Sequence, residues 1–127
     1  MFGNVKLERR ALESTYEDVC TISRMEDVEG WNGITKKQAV PVYEDIICAI
    51  SKSGNASKQT EAQHNIDFDM LLFVQPHIVI KAGDEITVKR FGRMDPLSEH
   101  VQAYEVIGKP TPYVTHVQCK LKAVGLG

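Results

Sequence analysis

Apolar and polar positions alternate along residues 17–24, EDVCTISR, which puts Cys20 and Ile22 on one face of a predicted strand. Comparable patterns return at 40–51 (VPVYEDIICAIS), 66–75 (IDFDMLLFVQ), 77–80 (HIVI), 85–92 (EITVKRFG), 99–107 (EHVQAYEVI) and 114–124 (VTHVQCKLKAV). In the third of these segments Ile66, Phe68 and Met70 face one way, and Asp67 and Asp69 the other. In the last, Val117, Cys119 and Leu121 point inward, opposite His116, Gln118, Lys120 and Lys122. Pro41 stands near the start of its strand, where a missing N–H is tolerated, and KAGD (81–84) is a turn signal. Only the N-terminus has another period: in NVKLERRALESTY (4–16), Leu7, Ala11 and Leu12 recur at helical spacing behind Asn4, a candidate cap. Six or seven strands with no helix between them favour antiparallel pairing, at turn spacings typical of a barrel or sandwich. The predicted fold is mainly β: one domain over 1–127, a small antiparallel β-barrel with a short N-terminal helix and one long polar loop.

Two stretches break the alternation. Residues 25–39 read as a polar connection holding the only tryptophan, Trp31, with Gly30 and Gly33. The second, SKSGNASKQTEAQHN, lies between two of the most apolar segments and has no large aliphatic or aromatic residue. Its small residues are Ser51, Ser53, Gly54, Ala56, Ser57 and Ala62. Asn55, Gln59, Thr60, Gln63 and Asn65 are neutral and polar, and Lys52 and Lys58 stand against Glu61, net +1 before His64 is counted. Connections longer than roughly 12–15 residues without structure of their own are uncommon in compact domains and are usually functional or disordered.

Charge refines this picture without redirecting it. The formal total is −2, so no global field marks a nucleic-acid binder. Residues 1–50 hold six Lys/Arg against nine Asp/Glu, whereas 108–127 hold Lys109, Lys120 and Lys122 and no acid. That asymmetry favours head-to-tail contacts between copies. Cys20, Cys48 and Cys119 are widely separated in strand-like contexts, with no short C-x-C clip for zinc, and are expected as buried reduced thiols. The opening MFGNVKLERRALES lacks an apolar h-region, so no signal peptide is expected, and no apolar run nears the roughly 20 residues that span a bilayer.

Candidate chemistry is sparse. Asp67 and Asp69 form a spaced carboxylate pair, but i, i+2 on a strand is also an ordinary solvated face. His64, His77, His100 and His116 lack metal-ligand spacing. The glycine-bearing SGNASK has neither the second glycine nor the G-K-[ST] ending of a phosphate loop. VKRFGR sets Lys89, Arg90 and Arg93 around Phe91, a pattern that can bind single-stranded nucleic acid or simply end a strand. Trp31 can anchor an interface or fold back over a barrel end. No catalytic constellation emerges, and neither enzyme activity, nor a metal, nor a cofactor is expected.

In order, TYEDVCTISR, GITKKQAVPVYEDIICAIS, the polar insert, DMLLFV, IVIKAGDEITVKR and YEVIGKPTPYVTHVQCKLKAV resemble phage head–tail connector proteins. The likeness is to the head-completion or stopper kind, as found in long-tailed phages and defective prophages of Gram-positive bacteria. It spans Tyr16 to Val124 and rests on order and pattern, most tellingly VYEDIICAIS, IKAGDEITV and YEVIGKPTPYVTH. The resemblance implies a minor virion protein made in the bacterial host cytoplasm and placed at the head–tail junction, with no membrane involved. Its partners would be copies of itself in a ring, the portal or adaptor and tail proteins, and the packaged double-stranded DNA behind them. Ser51–Asn65 would be the loop that enters the central channel and closes it, ordering only among neighbouring copies. Two alternatives stand beside it: a tail-side completion protein, and a small nucleic-acid-binding β-barrel.

Overall fold

The structure, a computed structural model, describes residues 4–52 and 68–124. A short helix, α1 (Val5–Glu13), is followed by β1 (Asp18–Glu29), β2 (Thr35–Lys52), β3 (Met70–Val74), β4 (Glu85–Lys89), β5 (Val101–Pro112) and β6 (Val117–Ala123). The strands close a barrel in the order β1-β2-β3-β6-β5-β4, with every neighbouring pair antiparallel. The fold is thus the mainly-β barrel with a short N-terminal helix that the alternation predicts.

Side chains of alternate residues fill the interior: Cys20 and Ile22 from β1, Leu72 and Val74 from β3, Ile86 and Val88 from β4, Tyr104 and Val106 from β5, and Val117, Cys119 and Leu121 from β6. β2 is less regular. Cys20 faces Ile46 while Ile22 faces Tyr43, so β2 spends an extra residue there, and Asp45 takes a φ of +53°. A second shift, between Ile22 and Ser23, follows at once. Such bulges bend a strand and increase its twist, and they sit where β2 leaves the barrel wall.

Antiparallel order fixes which connections share an end. The β1–β2, β3–β4 and β5–β6 connections open at one end, hereafter the hairpin end. The chain from α1, both flanks of the β2–β3 insert, and the β4–β5 connection lie at the other, the insert end.

Several expectations change. Residues 25–39 are a β-ribbon and not an irregular excursion: beyond Ser23, the last β1 residue paired with β4, six further pairs run from Arg24↔Val40 to Glu29↔Thr35. Its alternation is hidden because neither face enters the core, so nothing selects apolar residues there. HIVI is no strand. Ile78 and Ile80 are buried in the core, but residues 78–80 join no ladder. The segment is held instead by Tyr43 Oη, which accepts from the Val79 N–H at 3.2 Å, and by Asp84. β5 runs on past residue 107 to Pro112, through an irregularity between Ile107 and Thr111 where Gly108 has a φ of +72°. Asn4 makes no side-chain capping bond, and α1 buries none of its residues. Ser51 and Lys52 belong to β2, paired with Leu71 and Met70, and so are strand residues and not part of a loop. The other residues expected in the channel loop, 53–65, lie outside the described residues, as do Ile66 and Asp67.

Candidate functional site

At the insert end, the basic-aromatic cluster of β4 and the following connection is engaged within its own chain. The Asp18 carboxylate, almost fully buried, accepts from the Phe91 N–H at 2.8 Å and from Arg90 Nε at 3.4 Å. Phe91 has a φ of +63°, a conformation that L-residues rarely adopt, so this acceptor holds a strained turn in place. Arg93 Nη1 donates to the carbonyls of Glu13 and Tyr16 at 2.7 and 2.9 Å, and Lys89 Nζ donates to the Pro96 carbonyl at 2.8 Å. The Phe91 ring meets the Arg90 guanidinium at 5.1 Å and the edge of His100 at 6.2 Å. These bonds stitch the β4–β5 connection to the chain between α1 and β1. That arrangement is a clasp, with no open row of cations beside an unstacked ring.

Asp69 likewise has a local use: its carboxylate accepts from the Ala123 N–H at 2.7 Å, and its N–H donates to the Leu121 carbonyl. His116 stacks on Tyr113 at 4.7 Å and lies tilted to Phe73 at 5.7 Å. Among the described residues no three His, Cys, Asp or Glu side chains gather as a metal site, and no helix is long and apolar enough to cross a membrane. The three cysteines are buried free thiols. Cys48 is pushed up in pKa by its hydrogen bond with Cys20 and by burial, and burial raises the Cys119 thiol to about 12.

The hairpin end presents two surfaces. One is the ribbon tip. Gly30 and Gly33 form a turn closed by Gly30 N–H to the Ile34 carbonyl and Gly33 N–H to the Gly30 carbonyl, each 2.9 Å, with Gly33 at a φ of +83°. The Asn32 side-chain oxygen accepts from the Ile34 N–H at 3.1 Å. Trp31 on this hydrogen-bonded tip is 97% exposed, and Ile34 beside it and Met25 near the ribbon's base are also more than half exposed. Trp31 therefore does not fold back over the barrel end.

The other surface is an apolar groove of about 470 Å³ between the 76–82 segment and the last part of β5. Pro76, Pro110 and Pro112 line it together with Val79, and Lys81 and Lys109 are its cations; no acidic residue is in its lining. The Arg24–Asp84 pair holds the backbone of two lining residues, Val79 and Lys81: Nε and Nη2 reach the two carboxylate oxygens at 2.9 and 2.8 Å, and Nη2 also reaches the Val79 carbonyl at 3.1 Å. The same carboxylate accepts from the Lys81 N–H at 2.9 Å, fixing the tight turn. The side-chain hydrogen bonding between Arg24 and Asp84 raises the Arg24 pKa above its ordinary value. Sequence reading missed this groove. Its only trace there is the spaced prolines of GKPTPY beside a lysine.

No family model matches the chain, and no curated protein matches it. Among solved structures, it is similar to the solution structure of protein SF1141 from Shigella flexneri 2a, with a TM-score of 0.62 and 16% sequence identity over 85% of this chain and 92% of that one. At that identity the likeness is one of fold.

Proposed function

We propose that this protein is a ring-forming subunit of a phage head–tail connector, of the head-completion or stopper kind, whose polar β2–β3 insert closes the DNA channel. The observation that carries the reading is the join between sequence and topology. A closed barrel, complete without the insert, has both flanks of that long hydrophilic segment, Lys52 and Phe68, at one end, while the ribbon projects from the other. A subunit with these two poles can contact neighbours through its body and one pole and direct the insert toward an axis. The insert's near-neutral charge suits that role, because many copies meeting at an axis would repel one another if each brought a large like charge.

The test removes part of the insert, Asn55 to Ala62. Closure entropy changes slowly with loop length, so the shortened chain should keep the circular dichroism and unfolding midpoint of the full one. Particles assembled with it should lose their DNA, counted as full against empty heads by electron microscopy. Full heads in normal number would rule out the plug.

A further inference from the structure

We infer that the ribbon tip of one copy docks in the proline-lined groove of a second copy, with Trp31 as the anchor. This rests on the ring reading only in requiring that copies meet.

Three observations converge on it. Trp31 and Ile34 stand exposed on a turn held by its own hydrogen bonds, so little conformational freedom is lost when they are covered. A tryptophan buries roughly 150–250 Å², which makes it a strong anchor once a pocket receives it. The groove, about 470 Å³, has room for an indole, and its three proline rings offer flat apolar faces for one to stack on. The charges also match. From Met25 to Ile34 the ribbon carries Glu26, Asp27 and Glu29 and no cation, whereas the groove has Lys81 and Lys109 and no acid. Lys36 and Lys37 lie on the opposite arm, and Lys37 is paired with Asp27, so Glu29, the acid next to the tip, remains to face the groove lysines. This sets which arm turns toward the neighbour.

A tip on one patch and a groove on another make a heterologous contact, which propagates from copy to copy and closes into a ring when the rotation allows. The ribbon also gains from it. Two strands alone are marginal in water, and beyond Ser23 the outer edge of β1 has no ladder partner among the described strands.

Because Trp31 is the only tryptophan, its emission reports the contact directly. Sedimentation equilibrium and fluorescence are measured on the full chain across a wide concentration range. The weight-average mass should rise and the emission should move to shorter wavelength in step. Glu29→Lys should weaken both, and Glu29→Lys combined with Lys81→Glu and Lys109→Glu should restore them. Trp31→Ala, followed by mass alone, should weaken association by roughly 30-fold, as loss of an interface hot spot does. Association with Trp31 emission unchanged would overturn the docking and leave the ring reading standing. A chain that stays monomeric at every concentration, with water-like emission, would overturn the docking as well. DNA retention with the shortened insert then decides the ring reading by itself.

Discussion

Asp18 and Asp84 are the two carboxylates buried among the described residues, and each fastens a connection that carries no ladder of its own. Asp84 receives both forks of Arg24 and the Lys81 N–H, so removing the guanidinium leaves a buried charge with a single backbone donor. Arg24→Ala should therefore lower the unfolding free energy by about 3 kcal/mol. Arg24→Lys should recover only part of this, because a point charge cannot replace the two-pronged geometry. Urea unfolding monitored by circular dichroism measures both variants. Tyr16 is the opposite case. Its hydroxyl is buried with no hydrogen-bond partner among the described residues, and burial, reinforced by Glu13, pushes the phenol from 10.0 up to about 12. Tyr16→Phe removes an unsatisfied polar atom and should raise stability at neutral pH by about 1 kcal/mol. The pH dependence has a definite sign: between pH 10 and about 12 the unfolded chain gives up a proton that the folded one retains, so stability falls as pH rises. Cys119, raised from 9.0 to about 12, adds to the same alkaline loss from pH 9 upward. The Tyr16→Phe variant should retain the Cys119 part of that slope and lose the tyrosine part, which urea midpoints at pH 7, 9, 10 and 11 would separate.

Strands were legible from sequence wherever one of their faces is buried, and only there. β1, β3, β4 and β6 announce themselves through Cys20 and Ile22, Leu72 and Val74, Ile86 and Val88, and Val117, Cys119 and Leu121, because the barrel interior selects every second residue. The ribbon escaped detection for the converse reason: Glu26, Asp27, Lys36 and Lys37 are paired across strands but all face water. HIVI failed in the other direction. Side-chain burial at Ile78 and Ile80 imitates a strand, while backbone pairing, which the side-chain pattern does not encode, is absent. The groove was invisible because it forms between segments some thirty positions apart. If the ribbon is an interaction element and not part of the core, it is dispensable for folding. Replacing residues 26–38 by an Asn-Gly turn, which suits a two-residue hairpin, removes no buried side chain. The truncated chain should unfold within about 1 kcal/mol of the full one and should no longer associate.

For the whole molecule, closure of the barrel is what couples these parts. β4 returns to β1 through pairs from Val19↔Lys89 to Ser23↔Glu85, so none of the six strands can leave without opening two ladders. The three thiols are placed to report this. Cys20 is on β1, Cys48 on β2 and Cys119 on β6, all within the shared interior and each at most 1% exposed. The Cys48 and Cys119 thiols are also held protonated well above their ordinary range, which removes the reactive thiolate at neutral pH. If the barrel opens as one cooperative unit, a thiol reagent should label no cysteine in the native protein and all three together as urea unfolds it. The labelling midpoint should then coincide with that of circular dichroism. A barrel that loosens at one seam gives a different pattern. Opening between β3 and β6 would free Cys119 at urea concentrations where Cys20 and Cys48 are still protected, and mass spectrometry of the partly labelled protein would identify it. Coincident labelling would mean that the barrel wall opens only as a whole, with no seam that yields before the others.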